Sequence, residues 1–222
     1  MHKQALRYAS AMRKKFIDRI PQNTRKPEGF WRRTLLRSIN HDHAAWARWG
    51  LSHLDWHHTW NVLDIGCGGG ANIARMMSLC PKGLIYGIDA SEESVDSSRK
   101  YNRPELDKRC FILQGTVDCL PFDVDTFDVI TAFEALYSWP DLEKAFSEVY
   151  RVLKPNGYFM ICCESSDPSN TFWADHREGL KVYPADEIEV LLSKTGFIDI
   201  QIFKSGKESI CITAREDNES DF

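Results

Sequence analysis

One short stretch of the chain combines an acidic residue with closely spaced glycines. Its sequence, Asn61-Val-Leu-Asp-Ile-Gly-Cys-Gly-Gly-Gly-Ala71, is an apolar run that ends in a glycine turn. Glycines let the backbone turn sharply and let a ligand come close to the main chain. A helix that starts near Ala71 would add unpaired N–H groups and a partial positive charge. The stretch therefore predicts a binding loop for a nucleotide-like cofactor.

The loop alone is compatible with two kinds of cofactor. The spacing Gly66-x-Gly68-x-x-Ala71 fits the G-x-G-x-x-G/A pattern of dinucleotide-binding proteins. It fits equally well the acidic-x-Gly-x-Gly loop that holds S-adenosylmethionine (SAM), with Asp64 as the acidic residue. Residues elsewhere in the chain must decide between NAD and SAM.

Two further acidic residues follow the next two predicted strands. Asp89 ends the second strand, where a carboxylate can accept hydrogen bonds from both ribose hydroxyls in either kind of protein. Asp118 follows the third strand and is placed to accept from an adenine amino group, while the Val117 N–H can donate to a ring nitrogen. Dinucleotide folds do not need an acid at this third position, so Asp118 favours SAM.

Four ordered motifs resemble those of the class I SAM-dependent methyltransferases, particularly the small-molecule branch with the ubiquinone/menaquinone-biosynthesis type. In chain order they are Val62-Leu-Asp-Ile-Gly-Cys-Gly-Gly-Gly70, Gly-Ile-Asp89, Asp118-x-x-Pro-Phe122 and Arg151-Val-Leu-Lys-Pro-Asn-Gly157. The resemblance covers about residues 61–165, with weaker agreement to residue 213. Four motifs in order are much more specific than one glycine loop.

The resemblance implies a cofactor site for SAM and gives its residues. The expected contacts are Asp64, Gly66, Cys67, Gly68, Asp89, Ala90, Val117, Asp118 and Phe133. The glycine loop would face the methionine part, and Asp64 would hold the loop and meet the amino group. Asp89 would bind the ribose with Ala90 beside the adenine. Val117 and Asp118 would contact the adenine edge.

The acceptor side of the site is expected to align the acceptor with the methyl group and to exclude water. A general base is needed only where the acceptor must lose a proton. The catalytic candidates are His43, Glu134 and Tyr137, with His41 as a further possible base. The residues expected to contact the acceptor are Trp31, His41 and Trp173. No metal is expected, because neither H-E-x-x-H nor a cysteine partner pattern is present.

From Asn61 onward, short apolar strands alternate with amphipathic helices. Strands are predicted at 62–65, 84–88, 110–114, 127–132 and 158–163, and helices at 71–79, 91–101 and 141–153. A turn is predicted at 154–157, an irregular insertion at 164–183 and a helix at 185–194. This alternation predicts a parallel sheet with helices on both faces.

The chain closes with two predicted strands, 198–203 and 209–213, joined by a short turn. Two strands so joined cannot both run parallel, so one must be antiparallel. The predicted fold class is therefore α/β, a Rossmann-like doubly wound sheet of about seven strands with the last strand antiparallel and an N-terminal helical cap.

The predicted domains are a helical cap or lid at 1–60, a SAM-binding core at 61–214 and a disordered acidic tail at 215–222. Helices are expected at 1–20, 31–40 and 43–54. Residues 30–60 contain five of the seven tryptophans and five of the seven histidines, a composition that suits aromatic walls over a pocket.

Charge and composition limit the partners. The net charge is −4, yet residues 1–40 carry eleven lysines and arginines against two acids. This basic arm suits an anionic acceptor, a nucleic acid, or docking on the acidic body of its own chain. Seven cysteines without a C-x-x-C pair predict reduced thiols in a cytoplasmic protein. No apolar run is long enough for a transmembrane span, and no secretory signal is visible.

Three functions are compatible with these features. The first is a methyltransferase acting on a small molecule, since no Asn/Asp-Pro-Pro-Tyr/Phe or Pro-Cys motif points to a nucleic-acid base. The second is a non-catalytic SAM-fold protein that binds RNA or a protein through its basic arm. The third is an NAD-dependent oxidoreductase, which lacks an obvious Tyr-x-x-x-Lys set. The sequence leaves the oligomeric state open.

Overall fold

The computed structural model describes residues 44–169, 181–206 and 208–217. In chain order the helices and strands are α1 (Ala44–Leu51), β1 (Val62–Ile65), α2 (Ala71–Leu79), β2 (Ile85–Asp89), α3 (Glu92–Tyr101), β3 (Cys110–Gln114), β4 (Phe127–Phe133), α4 (Leu142–Val152), β5 (Leu153–Cys163), α5 (Ala185–Thr195), β6 (Ile198–Ser205) and β7 (Ser209–Arg215). Short 3₁₀ turns lie at Arg103–Glu105 and Leu136–Ser138. The predicted helices at 1–20 and 31–40 lie outside the described residues.

The strands form one sheet in the order β3-β2-β1-β4-β5-β7-β6. All pairs from β3 to β5 are parallel, whereas β7 runs antiparallel to both β5 and β6. The predicted seven-stranded α/β sheet with an antiparallel last strand is confirmed. The strand order turns back between β1 and β4, and in such sheets ligands bind at the carboxyl ends of the strands near this point.

The sheet is covered on both faces because its central strands are apolar on both sides. All four residues of β1 are buried. Leu63 packs into one core with Phe127 and Phe159, while Val62 packs into the other with Val129. Side chains alternate between the two faces of a strand, so one short strand contributes to two cores.

Capping residues fix where the helices begin and end. The Ser91 hydroxyl accepts from the Ser94 N–H at 3.4 Å, which makes Ser91 the N-cap of α3. The Asp141 carboxylate does the same for the Lys144 N–H at 3.1 Å, at the start of α4. Gly196 ends α5 in a left-handed conformation with φ 111°.

The predicted turn at 154–157 is wrong, because these residues lie inside β5. Phe127 pairs with Leu153 and Val129 pairs with Tyr158, so residues 154–157 bulge opposite Asp128 alone. Long-range contacts hold the bulge: the Lys154 Nζ lies 2.9 Å from the Asp128 Oδ2. The local turn chemistry of Pro-Asn-Gly is therefore used within a paired strand and does not end it.

The C-terminal strand is longer than predicted. β7 extends to Arg215, and the next residue, Glu216, is buried and donates its N–H to the Gly157 carbonyl at 2.9 Å. The start of the predicted acidic tail thus pairs with the bulge of β5. Residues 218–222 lie outside the described part of the chain.

Residues from Trp46 onward belong to one compact unit with the sheet. Helix α1 is shorter than the predicted helix at 43–54, and it packs on the face that also carries α2. All seven cysteines are unpaired, as predicted, and only Cys119 is exposed. No helix in the described ranges is long and apolar enough to cross a membrane.

Candidate active site

The glycine loop between β1 and α2 is tied to the carboxyl end of the neighbouring strand. The Gly66 and Cys67 N–H groups donate to the Ile88 carbonyl at 2.8 and 3.1 Å. A side chain at Gly68, where φ is 51°, would meet nothing nearer than the Gly66 carbonyl at 4.0 Å. The main chain at Gly68 is therefore open to a ligand, which is the role that a second loop glycine has in cofactor-binding folds.

Gly70 is required for a different reason. A β-carbon there would lie 2.5 Å from the Asn102 Nδ2 and would also collide with Ser98, both at the end of α3. Asn102 donates to the Gly70 carbonyl at 3.0 Å and to the Ser98 carbonyl at 3.0 Å. The missing side chain thus lets α3 press against the loop, and Asn102 fastens the two together.

Asp89 links the glycine loop to the start of α3. Its Oδ2 accepts from the Gly68 N–H at 2.9 Å and its Oδ1 from the Ser91 N–H at 2.9 Å. The residue is half-buried, and each carboxylate oxygen keeps a lone pair for another donor. Asp89 is thus placed to support the loop and still accept from a ligand hydroxyl.

Asp64 lies beneath the loop. Its side chain is 2% exposed, and the Thr131 hydroxyl donates to its Oδ1 at 2.7 Å. Burial raises the pKa of the Asp64 carboxyl to about 7, against a lowering by the Thr131 hydrogen bond. This enclosed position suits the predicted task of holding the loop.

The third acidic residue lies at the end of the sheet beyond β2. Asp118 is in a turn closed by the Cys119 N–H and the Thr116 carbonyl at 3.4 Å, with Val117 buried beneath it. A hydrogen bond with the Thr116 hydroxyl, and the nearby Lys144 ammonium at 3.6 Å, lower the pKa of Asp118. The carboxylate is therefore charged and accessible at neutral pH.

Sheet order places the predicted cofactor residues along one edge. Strands β3, β2, β1 and β4 are neighbours, and their carboxyl ends lead to Asp118, Asp89, Gly68 and Phe133 in turn. Ala90 is exposed beside this edge, and its carbonyl accepts from the Gln114 side chain at 3.2 Å. The buried Cys67 thiol lies 3.9 Å from the Ser98 hydroxyl.

Glu134 and Tyr137 connect the ends of β4 and β5. Glu134 has φ 56°, and its N–H donates to the Cys162 carbonyl at 2.9 Å. Its carboxylate accepts from the Glu164 N–H, and its Oε1 lies 3.4 Å from the Tyr137 hydroxyl oxygen. The Tyr137 hydroxyl donates its hydrogen to the Ser165 carbonyl at 2.9 Å and accepts from the Ser165 N–H at 3.0 Å. Burial raises the pKa of Tyr137 well above its ordinary range, so the phenol is protonated at neutral pH.

An aromatic pair closes the β4 end of the edge. Phe133 is 8% exposed, and its ring meets the Trp46 ring edge-on at 5.8 Å. Trp46 belongs to α1, which approaches β5 so closely that a β-carbon on Gly50 would lie 2.6 Å from the Cys162 Sγ. Trp31, His41, His43 and Trp173 lie outside the described residues, so their predicted roles stay predictions.

Sequence reasoning missed three supporting residues. Thr131 is a polar residue within the apolar run of β4, and this was a usable signal for a buried partner of Asp64. Asn102 and Ser98 carried no such signal, because polar residues are common at the end of a helix. Among residues 44–169, 181–206 and 208–217, no group of histidines, cysteines and acids is arranged to hold a metal ion.

Comparison with known proteins decides between the two cofactors. Residues 63–161 match the family described as "Methyltransferase domain", a range that contains the loop, all three acidic residues and β4. Together with the four ordered motifs and the sheet, these matches support a class I SAM-dependent methyltransferase. They support SAM, and not NAD, as the cofactor.

The relatives of this methyltransferase are distant. It is 29% identical over 178 residues to the demethylmenaquinone methyltransferase of Lactococcus lactis, covering 68% of this chain and 70% of that protein. It spans only 40%, 54% and 45% of the length of three further curated relatives.

Solved structures share the fold of the methyltransferase. A chain from the complex between the Haloferax volcanii Trm112 methyltransferase activator and a methyltransferase has a TM-score of 0.71 at 19% identity, over 83% of this chain and 94% of that one. The Haemonchus contortus phosphoethanolamine N-methyltransferase 2 in complex with SAM has a TM-score of 0.69 at 18% identity, over 78% and 53%.

The residues of the edge fit SAM. The open main chain at Gly68 leaves room for close approach. The half-buried carboxylate of Asp89 suits a pair of ribose hydroxyls, and the accessible carboxylate of Asp118 suits an amino group on the adenine.

Proposed function

We propose that this methyltransferase transfers the methyl group of SAM to a small-molecule acceptor enclosed by the N-terminal cap. The observation that carries the proposal is the continuous edge on which Asp118, Asp89 and Gly68 lead to Phe133 on neighbouring strands. The first three suit the donor, so the acceptor would lie beyond Phe133. The demethylmenaquinone methyltransferase relative supports a small molecule as acceptor.

On the donor side, the chain's own groups bind and orient. Asp89 and Asp118 would accept from the ribose and the adenine, while Asp64, through Thr131 and β1, would keep the glycine loop in place. Bound SAM supplies a methyl group on a positively charged sulfur. The protein therefore needs no electrophile of its own, and its task is alignment and exclusion of water.

On the acceptor side, Phe133 and Trp46 would supply an apolar wall. Glu134 is the described candidate that can hold a proton, and Tyr137 would act as a hydrogen-bond donor because its phenol stays protonated. His43 remains the candidate base from the cap, with Trp31, His41 and Trp173 as acceptor contacts. The basic arm of residues 1–40 favours an anionic acceptor.

The first test is calorimetric titration of the full chain with SAM. We expect saturable binding, and no heat at near-millimolar SAM would overturn the proposal. A library of small acceptors is then incubated with methyl-labelled SAM and read by mass spectrometry. Label in a small molecule supports the proposal, whereas label only in RNA or protein would contradict the acceptor class. The unpaired, mostly buried thiols lead us to place the protein in the cytoplasm.

A further inference from the structure

One face of α4 lies along the segment that follows β3. Lys144, Glu148 and Arg151 are spaced three or four residues apart and so share this face. Their contacts follow the order of the segment. Lys144 pairs with Asp118, and Glu148 accepts from the Leu120 N–H at 2.9 Å. Arg151 contacts Phe122, further along the segment. The helix therefore follows the segment from its adenine-facing end toward β4.

Arg151 makes the strongest of these contacts. Its guanidinium donates to the Glu148 carboxylate through Nε and Nη2, both at 2.8 Å. The same guanidinium donates to the Phe122 carbonyl at 2.8 Å and to the Leu120 carbonyl at 3.1 Å. The planar guanidinium, with its fixed set of N–H donors, suits this arrangement because it binds a carboxylate and two carbonyls at once. The hydrogen bond from Arg151 lowers the pKa of Glu148.

The segment has no regular secondary structure. Residues 115–126 join two parallel strands without a helix, and within them the turn of Thr116 and Cys119 is closed by a bond of 3.4 Å. Val117 and Leu120 are both 4% exposed, and the Phe122 ring meets the Phe127 ring edge-on at 4.9 Å. These apolar contacts fix the depth of the segment, while Glu148 and Arg151 hold its backbone at Leu120 and Phe122, directly after Asp118.

We propose that the Glu148–Arg151 pair is a positioning clamp that sets the place of Asp118 and thereby the selectivity of the site for adenine. The inference deepens the proposed function and rests on it. Neither residue would contact SAM, so both act through the backbone at Leu120 and Phe122. The predicted consequence is a change in base discrimination, which a purely stabilising ion pair would not produce.

The chain contains a matched control for Arg151. Arg109 also pairs with a glutamate of its own segment, Glu105 at 3.3 Å, and also donates to two backbone carbonyls, of Cys80 at 3.2 Å and Gly83 at 3.4 Å. Cys80 and Gly83 precede β2 and Arg109 precedes β3, so this contact lies at the edge of the sheet opposite the glycine loop. Arg109→Lys therefore removes a similar fork without touching the adenine side.

The experiment compares wild type, Arg151→Lys, Glu148→Gln and Arg109→Lys. Calorimetry gives the Kd for S-adenosylhomocysteine and for S-inosylhomocysteine, in which a carbonyl replaces the adenine amino group. We expect wild type to prefer the adenosyl compound, and Arg151→Lys to weaken that preference by about tenfold because the carboxylate of Asp118 is displaced. Glu148→Gln keeps both acceptor and shape, so its effect should be smaller.

A general loss of stability would raise both dissociation constants by the same factor, so their ratio separates positioning from folding. Equal ratios in Arg151→Lys, Arg109→Lys and wild type would overturn the clamp while leaving SAM binding intact. Failure of wild type to bind either compound would instead overturn the proposed function. If Arg151→Lys does not fold, the ratio in Glu148→Gln decides: an unchanged ratio there contradicts the inference.

Discussion

The proposed donor and acceptor sides of this site are built in different ways. On the donor side, the carboxylate of Asp89 bonds two backbone N–H groups and still faces the edge of the sheet. On the acceptor side, the polar atoms of Glu134 and Tyr137 contact each other and the backbone of Glu164 and Ser165, which directly follow β5. Asp89 thus keeps capacity to accept from a ligand, whereas Glu134 and Tyr137 are engaged with each other and with the segment after β5.

This difference indicates which substitutions should separate SAM binding from stability. The sheet holds Asp89 and the glycine loop, so a change there should act mainly on SAM affinity. Glu134 and Tyr137 connect β4 to β5 and to the segment after it, so their loss should lower stability as well.

Asp89→Ala should remove most of the affinity for SAM. The variant loses the acceptor for the ribose and releases the Gly68 N–H, so we expect a rise in Kd of about 100-fold or more by calorimetry. Asp199→Ala is the control, since that acid pairs with Arg215 at 2.6 Å on the far edge of the sheet. Equal SAM affinity in Asp89→Ala and wild type would contradict the proposed role of Asp89 in binding SAM.

Asp64→Asn should change how stability depends on pH. The folded-state pKa of Asp64, about 7, lies above the unfolded value of about 3.8. The folded protein therefore holds this proton more tightly, and its stabilising effect is complete below about pH 4 and lost as pH rises through 7. From pH 4.5 to pH 7.5, the free energy of unfolding of the variant should therefore rise relative to that of wild type by about 1 to 3 kcal/mol. Urea unfolding at the two pH values measures this change. A constant difference across this range would contradict the prediction.

Asn102→Ala should loosen the glycine loop without touching the ligand. It removes the two hydrogen bonds to the Gly70 and Ser98 carbonyls in a buried position, at a cost of about 1 to 3 kcal/mol in the free energy of unfolding. The SAM Kd should rise less than in Asp89→Ala, because the binding groups remain. A larger rise in Kd than that of Asp89→Ala would mean that loop order matters more than the acids.

Tyr137→Phe should lower stability by about 1 kcal/mol, because the buried Ser165 N–H and carbonyl lose their partner. SAM affinity should stay within about twofold, since this residue lies on the acceptor side. Thermal unfolding and calorimetry on the same preparation give both numbers. A loss of SAM affinity without loss of stability would contradict the placement of Tyr137 on the acceptor side.

Glu143→Gln is the smallest effect expected. Glu143 pairs with Lys194 at 2.7 Å, but both side chains are more than half exposed. Such pairs contribute about 0 to 1 kcal/mol, so neither stability nor SAM affinity should change measurably. A clear loss of SAM affinity in Glu143→Gln would show that any change on α4 disturbs residues 115–126. It would contradict a specific positioning role for Glu148 and Arg151.

The residues of the proposed donor side could be found in the sequence. The strand before the glycines, the helix after them and the acids Asp89 and Asp118 are local patterns near the carboxyl ends of predicted strands, where such sheets bind ligands. Their assignment to SAM came from the resemblance of four ordered motifs to known methyltransferases. The antiparallel last strand followed from the short turn between β6 and β7.

Tertiary structure decided how that edge is supported. The bulge of β5 opposite Asp128, the bond from Asn102 to Gly70, the Thr131 partner of Asp64 and the clamp on Leu120 join residues far apart in the chain. Each satisfies a polar group that folding buries, and the choice of partner depends on which strands become neighbours. Local sequence carries the groups that we propose bind the cofactor, while the packing of the whole sheet decides which residues hold those groups in place.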